Sequence, residues 1–470
     1  MTPIIAIVGR PNVGKSTLFN RLTRTRQALV DDLPGVTRDR LYGTVRVDER
    51  RFNLVDTGGF DPPADQAFAS EVHAQIELAI AEADAILFVA DGRAGLSPLD
   101  AEVVRRLRRT EKPVLYAVNK VDGPEHEDSA QEFQALGVDE LHFISAAHGW
   151  GVRDLVAAIL ARFPEQDEDQ AAIAGLAEMD DISDLAEMAE DALPELPAGP
   201  VRVALLGRPN VGKSSLLNAL VGGPRVVVSA VPGTTRDAID TPLTLDERDY
   251  VLIDTAGIRR QGRVEASLEK AGVFRSLRAV ERSHVVVAVL DAGEGVADQD
   301  LRLIGQAVEA HRGLVVVLNK WDLLAGDPDR QKQVAEQAER LTRLAPWAPL
   351  LRISAKTKRG VAKVLPAVNE VYAQYCLRMA TAPLNQALEH LTSRHQPPMV
   401  KGRRLKFFYA AQVGIRPPRV VVFVNEPMAV HFSYRRYLLN GLREAMGLGQ
   451  APLSLEFRQR SGRRPRRGRS

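Results

Sequence analysis

Cysteine is almost missing from this 470-residue chain: Cys376 is the only one. A lone thiol excludes an internal disulfide framework and a cysteine-rich zinc site, and it suits a reduced, cytoplasmic setting. Aromatic residues are sparse, at 5%. No apolar run approaches the roughly 20 residues that a membrane helix requires, so no membrane partner is expected. The stretch Met1–Gly9 carries no charge and runs straight into a glycine-rich motif, so it reads as a buried strand rather than a secretory signal. From Glu165 to Gly199 there is no Lys or Arg at all. That acidic stretch is offset by an arginine-rich C terminus, which leaves a net charge of +2 that says little about partners. With 45% hydrophobic and 26% charged residues the composition is that of a globular protein, and the length calls for roughly two to four domains.

Internal repetition is what the sequence has in abundance. GRPNVGKS at Gly9–Ser16 returns letter for letter at Gly207–Ser214. At the same spacing PGVTRD (Pro34–Asp39) returns as PGTTRD (Pro232–Asp237), and DTGG (Asp56–Gly59) as DTAG (Asp254–Gly257). NKVD (Asn119–Asp122) has a counterpart in NKWD (Asn319–Asp322), and Ser145–Ala146 in Ser354–Ala355. Five ordered matches indicate two copies of one domain, with loop insertions causing the drift in spacing. The apolar runs Ile4–Val8, Ala85–Ala90 and Val114–Val118 suit buried parallel strands, as do Val203–Leu206, Val285–Leu290 and Leu314–Leu318. Amphipathic stretches such as Ala101–Arg109 alternate with them. The expected fold class is therefore α/β, with two tandem P-loop NTPase domains of the Ras-like type.

G-x-x-x-x-G-K-[ST] placed after a strand and opening a helix is a phosphate-binding loop. Its backbone N–H groups and the positive end of the following helix face the phosphates. The two loops comprise Gly9, Arg10, Pro11, Asn12, Val13, Gly14, Lys15, Ser16 and Thr17, and Gly207, Arg208, Pro209, Asn210, Val211, Gly212, Lys213, Ser214 and Ser215. Lys15 and Lys213 bring a point charge to the β- and γ-phosphates, and Ser16 and Ser214 offer hydroxyl ligands to Mg²⁺. Asp56 and Asp254 end the predicted strands Phe52–Val55 and Tyr250–Ile253, where a carboxylate can hold Mg²⁺ through water. Thr57, Gly58, Gly59 and Phe60 follow in one copy, Thr255, Ala256, Gly257 and Ile258 in the other. Gly59 and Gly257 can approach the γ-phosphate with their N–H groups. Thr37 and Thr235 stand where a hydroxyl reaches the metal only while the γ-phosphate is present, which makes a switch that relaxes on hydrolysis. The expected catalytic residues are thus Lys15, Thr37, Asp56 and Gly59, and Lys213, Thr235, Asp254 and Gly257.

N-K-x-D decides the base. The carboxylates of Asp122 and Asp322 can accept two hydrogen bonds from the N1–H and N2–H₂ edge of guanine, which adenine cannot supply. Asn119 and Asn319 steady the loop, and Lys120 and Lys320 lay their stems along the ring. Val121 and Trp321 fill the variable position. Ser145–Ala146 and Ser354–Ala355 can offer a backbone N–H to guanine O6. Such polar pairing rejects an analogue that leaves the carboxylate unpaired. The expected ligands are GTP and GDP with Mg²⁺.

The glutamine that orients water in small GTPases is missing after the Asp-x-x-Gly run, where Phe60 and Ile258 stand instead. Either a group arrives in trans or a monovalent cation supplies charge. Asn12 and Asn210 are candidate ligands for such a cation, with simple loop stabilisation as the alternative.

Outside the repeats, Glu165–Gly199 reads as a solvated linker, or through Leu176, Met179, Ile182, Leu185, Met188 and Leu193 as a docking helix or acidic RNA decoy. From about Ala382 the order helix (Pro383–Arg394), strand (Leu405–Gln412), strand (Arg419–Asn425), helix (Ser433–Met446), strand (Leu453–Arg460) describes a small two-layer domain. Arg458, Arg460, Arg463, Arg464, Arg466, Arg467 and Arg469 end the chain, and with Lys401–Gly402–Arg403–Arg404 they are the electrostatic candidates for RNA. Phe407, Phe408 and Tyr409 alternate faces of a strand, so part of that cluster is expected in the core.

On both phosphate loops, both switch threonines, NKVD, NKWD and the terminal two-layer segment, the chain resembles the bacterial Der (EngA) GTPases over essentially its whole length. The resemblance implies two G domains and an α+β KH-like domain: 1–164 first G domain, 165–199 acidic linker, 200–380 second G domain, 381–458 KH-like domain and 459–470 basic tail. It implies a GTP-hydrolysing switch for assembly of the large (50S) ribosomal subunit that binds ribosomal RNA in a nucleotide-dependent way, with the KH-like domain between the G domains. It also implies potassium stimulation through Asn12 and Asn210. A cytoplasmic monomer is expected. The last domain lacks the Gly-x-x-Gly loop with which KH modules clamp nucleotide backbone, so any RNA contact there uses another surface. A scaffold whose first G domain binds nucleotide without turnover is the competing reading. An RNA-modifying GTPase is disfavoured, because Cys376 stands alone and no catalytic domain is left over.

Overall fold

A computed structural model describes residues 2–23, 42–47, 50–57, 68–124, 131–163, 199–222, 226–227, 240–254, 267–397, 399–400 and 403–460. Thr37, Gly58, Gly59, Phe60, Thr235, Thr255, Ala256, Gly257 and Ile258 lie outside the described residues, as do linker residues 165–198, Lys401–Gly402 and the arginines from Arg463 on. The chain divides into two compact units, residues 1–165 with 262–281, and 166–261 with 282–470.

In the first unit six strands form one sheet: β1 (Ile4–Val8), β2 (Tyr42–Val47), β3 (Arg50–Asp56), β4 (Ala85–Asp91), β5 (Val114–Asn119) and β6 (Leu141–Phe143), in the order β2-β3-β1-β4-β5-β6. All neighbours are parallel except β2, an edge strand antiparallel to β3. The sequence did not mark β2, because its YGTVRV pattern is half-exposed rather than a continuous apolar run. The runs that were marked are covered on both faces, and their residues split by parity. Ile4, Ala6, Val8, Ile86, Phe88 and Ala90 enter one core, and Ile5, Ile7, Ala85, Leu87 and Val89 the other. Helices α1 (Lys15–Thr23) and, further on, Val152–Ala161 cover the second core through Leu18, Phe19, Leu155 and Ile159. Helices α2 (Phe68–Glu82) and α3 (Pro98–Leu107), the latter expected at Ala101–Arg109, cover the first through Ile76, Ala79, Val103 and Leu107. Phe274 and Leu277 complete that cluster, and Arg278 donates to Glu82 O at 2.7 Å.

In the second unit β7 (Val201–Leu206), β8 (Val226–Val227), β9 (Thr241–Leu245), β10 (Arg248–Ile253), β11 (Val285–Asp291), β12 (Gly313–Asn319) and β13 (Leu350–Arg352) take the order β13-β12-β11-β7-β10-β9-β8. This is the same plan with one more edge strand, and β9 is again antiparallel. A short hairpin, β14 (Met399–Val400) with β15 (Arg403–Arg404), precedes the sheet β16 (Phe407–Gly414), β17 (Arg419–Val424) and β18 (Ser454–Gln459). Helices Thr381–Arg394 and Phe432–Ala445 give the expected α-β-β-α-β order. Asn385 pins helix to strand by accepting from Ala410 N and donating to Ala410 O, both at 2.8 Å. One apolar cluster runs from Val203, Leu217 and Val287 through Val368, Tyr375 and Met379 to Leu384, Val422, Leu438 and Phe457.

The aromatic trio departs from simple alternation, because the β16–β17 register shifts between Phe407 and Tyr409. Phe407 stacks on Tyr434 at 5.5 Å and Tyr409 on Phe423 at 4.5 Å. Phe408 stays on the surface, 36% exposed, with the Arg460 guanidinium 5.1 Å above its ring.

Candidate functional site

In each sheet the strand order reverses beside the first parallel strand, β1 or β7, which is where open α/β sheets bind ligands at the carboxyl ends of their strands. The motif residues collect at that edge: Gly9 follows β1, Asp56 ends β3, Asp91 ends β4, Asn119 ends β5 and Ser145 follows β6. Gly9 (φ 150°) passes so close to β4 that a Cβ would sit 2.2 Å from Val89 O. Gly14 (φ 94°) turns the chain into the helix, where a Cβ would strike Asn119 Nδ2 at 2.3 Å. Gly207 and Gly212 repeat both constraints, at 2.3 Å from Val289 O and 2.3 Å from Asn319 Nδ2.

Each phosphate loop folds around its lysine. Lys15 is buried, and Nζ donates to Gly9 O and Arg10 O at 2.8 and 2.7 Å. Lys213 donates to Gly207 O and Arg208 O, both at 2.6 Å. Burial pulls the Lys213 ammonium down to about 8, against the attraction of Asp300. Val13 and Val211 are buried, whereas Pro11, Asn12, Ser16 and Thr17, with Pro209, Asn210, Ser214 and Ser215, are exposed. Asn12 and Asn210 both adopt left-handed backbone, φ 65° and 62°.

The base end is fastened to the phosphate end by one asparagine. Asn119 Nδ2 donates to Val13 O at 2.8 Å, and its Oδ1 accepts from Ala146 N at 2.8 Å. Asn319 does the same with Val211 O and Ala355 N, at 2.8 and 2.9 Å. This alters the expectation for the Ser-Ala pairs. The Ala146 and Ala355 N–H groups donate to these asparagines and the Ser145 N–H to Trp150 O, so they arrive at the site already engaged. Lys120 (φ 70°) and Lys320 (φ 60°) stretch back to Asp91 and Asp291, at 2.5 and 2.6 Å. Although burial opposes it, the hydrogen bonds from Lys120, Ala94 and Arg93 hold the Asp91 carboxyl below its ordinary value. Val121 is buried, while Trp321 lies 4.8 Å under the Arg352 guanidinium.

The guanine-reading carboxylates differ. Asp122 Oδ1 accepts from Ser145 Oγ at 2.7 Å, its Oδ2 pairs with Arg93, and His148 Nε2 lies 3.8 Å away. The Ser145 hydroxyl first, then Arg93 and His148, hold this carboxyl below its ordinary range. Asp322 Oδ1 is buried and has no hydrogen-bond partner among the described residues. Ser354 Oγ there accepts from Thr357 N.

The metal-holding positions also differ. Ser16 Oγ donates to Asp56 Oδ2 at 2.7 Å, so a hydroxyl and a carboxylate converge at the mouth of the phosphate loop. Hard oxygen donors in that place fit Mg²⁺. Thr57 Oγ1 donates to Ile7 O at 2.6 Å and fixes the turn beyond Asp56. Asp254 takes φ 55° past the end of β10, and its N–H donates to Asp240, itself paired with Arg282.

Four supporting carboxylates, in two matched pairs, escaped the sequence reading. Asp100 is fully buried, pairs with Arg10 at 2.7 Å and caps the helix through Ser97 N. Asp300 pairs with Arg208 at 2.9 Å and accepts from Ala297 N. Asp91 and Asp291 anchor the lysines as described. All recur between the copies, so alignment beyond the motifs would have found them.

Fold and sites together define a tandem P-loop GTPase with two guanine-nucleotide sites. Comparison with known proteins narrows the class. A family model described as a 50S ribosome-binding GTPase matches residues 4–120 and 202–320, and one described as the C-terminal KH-domain-like region of EngA bacterial GTPases matches 378–458. "GTPase Der" of Syntrophotalea carbinolica is 49% identical over 98% of this chain and 99% of its own. "GTPase Der" of Syntrophobacter fumaroxidans is 50% identical over 97% of this chain and 98% of its own. A solved structure of Aquifex aeolicus Era bound to GDP and aluminium fluoride is 19% identical, covers 78% of this chain and 97% of that one, and has a TM-score of 0.27. The chain belongs to the GTPase Der family. Among the described residues no helix is long and apolar enough to cross a membrane.

Proposed function

We propose that this GTPase is a timing switch in maturation of the large (50S) ribosomal subunit and binds ribosomal RNA according to its nucleotide state. Domain boundaries at 1–164, 165–199, 200–380, 381–458 and 459–470 are part of this reading, as are a cytoplasmic location and a monomeric state. The observation that carries it is the single apolar cluster joining the second nucleotide-binding sheet to the KH-like layer. A nucleotide-dependent shift beside β7 then has a packed route to the KH-like module. Family membership supports the ribosomal partner. Co-sedimentation with ribosomal subunits in GDP and in a non-hydrolysable GTP analogue tests the proposal. Equal recovery with both nucleotides would sink nucleotide-dependent binding.

In the hydrolytic step Lys15 and Lys213 hold the β- and γ-phosphates, and Asp122 and Asp322 hold the base. Gly59 and Gly257 offer backbone N–H groups to the γ-phosphate. Ser16, Thr37 and Asp56, and Ser214, Thr235 and Asp254, would hold Mg²⁺, which when bound neutralises charge developing on the phosphate oxygens. In this reading Asn12 and Asn210 offer side-chain carbonyl oxygens to K⁺, and their exposure in left-handed turns supports it. Hydrolysis is then faster in potassium than in sodium, and Asn12→Ala and Asn210→Ala each remove part of that advantage. Identical rates in both salts for the wild-type chain would end the cation proposal.

A further inference from the structure

The turn after β4 and the turn after β11 are built alike. Asp91 Oδ1 accepts from Arg93 N at 3.0 Å and Ala94 N at 3.2 Å, and Asp291 Oδ1 accepts from Gly293 N at 2.8 Å. The backbone is copied, but the side chain is not. Arg93 stands where the second copy has Gly293. Its side chain, 69% exposed, carries the guanidinium across to Asp122 Oδ2. In the second copy Arg330 Nη2 donates to the Gly293 carbonyl oxygen, and Asp322 keeps a buried, unpaired oxygen. His148, whose ring also lies near Asp122, is replaced by Thr357.

We propose that Arg93 sets the guanine affinity of the first site by competing with the base for the Asp122 carboxylate, and that the second site lacks this competitor. The inference rests on guanine recognition by the two N-K-x-D aspartates. Guanine needs both carboxylate oxygens for its N1–H and N2–H₂ edge. At Asp322 no side chain among the described residues competes for the carboxylate, so guanine has only water to displace. At Asp122 it displaces a charge-assisted partner, and only the difference is gained. The Arg93 partner is largely exposed, so the weight of the pair is modest and sensitive to salt. The first site is thereby the weaker and faster-exchanging of the two, without any change in the residues that read the base.

The test uses the full chain. Asp322→Asn removes guanine recognition from the second site, so fluorescent mant-GDP reports the first. In that background Arg93→Ala is expected to tighten mant-GDP binding roughly two- to five-fold, with the gain shrinking as salt is raised. Arg93→Lys retains most of the wild-type weakening. In the reciprocal Asp122→Asn background, Gly293→Arg weakens the second site. A Cβ at Gly293 would lie 3.2 Å from Asp291 Oδ1 and from Leu323 Cδ1, so Gly293→Ala separates crowding from charge. Unchanged affinity for Arg93→Ala overturns the proposal. Weakened affinity also overturns it, since Arg93 would then hold the base instead of contesting it. If the Asp322→Asn chain with Arg93 intact binds no mant-GDP, guanine recognition by the first site has failed, and the proposal falls with it.

Discussion

The two nucleotide sites share a frame and differ in what occupies their acceptors. In both, an asparagine ties the phosphate loop to the Ser-Ala loop, a lysine reaches back to the aspartate ending the preceding strand, and a buried aspartate paired with an arginine braces the loop. Around Asp122 there is a hydroxyl and a guanidinium, while Asp322 presents an unpaired buried oxygen. Asp56 ends a strand, whereas Asp254 sits in a left-handed turn with its N–H donating to Asp240. Duplication has kept the contacts that fix backbone and relaxed those that set affinity. Binding constants are therefore free to diverge while the chemistry stays common.

The strongest test of the common chemistry is the base. Asp122→Asn and Asp322→Asn each reverse the preference of their own site from GDP towards xanthosine diphosphate, by on the order of 10⁴-fold in the affinity ratio. Competition binding measures it. A shift at one aspartate only would show that the copies do not read the same base.

Next in size is the asparagine tie. Asn119→Ala and Asn319→Ala each leave a backbone carbonyl and a backbone N–H without their partner, at about 1–3 kcal/mol for each group. Thermal unfolding with and without GDP should show matched losses in the two halves. An Asn319→Ala chain as stable as wild type would break the shared frame.

A smaller effect follows from Lys213. Its ammonium titrates near 8, below the ordinary lysine value, because burial disfavours the charge. Bound phosphates favour the charged form, so nucleotide-bound protein keeps a proton that the free protein loses above that pH. Second-site affinity for GDP thus falls as pH rises from 8, by at most about tenfold per pH unit. Titration of an Asp122→Asn chain from pH 7 to 9 checks the direction. Flat affinity would mean that Lys213 stays charged throughout. The few-fold effect of Arg93 is the smallest, and it is the one that reads the difference between the sites directly.

Much of this was legible in the sequence, for a physical reason. Strands buried on both faces must be apolar at every position, so Ile4–Val8 and Val285–Leu290 announced themselves to within a residue. The half-exposed β2 and β9 carry no such run and went unseen. Glycines 9, 14, 207 and 212 were legible because backbone must pass where no side chain fits. Asp91, Asp100 and Arg93 were not, since a single charged residue says nothing about which distant partner it meets. Only the recurrence of Asp91 and Asp100 at Asp291 and Asp300 held a signal. The failure of that recurrence at Arg93 held another.

A cut at residue 380, between the second nucleotide-binding domain and the KH-like layer, would pass through the apolar cluster that holds Tyr375, Met379 and Leu384 together. Tyr375 is fully buried, and the Gln412 side chain accepts from Met379 N at 2.7 Å and donates to Leu377 O at 2.9 Å. Either fragment would display a sticky face to solvent and would be expected to aggregate when expressed alone. For dissection of this chain, the C-terminal half behaves as one indivisible part.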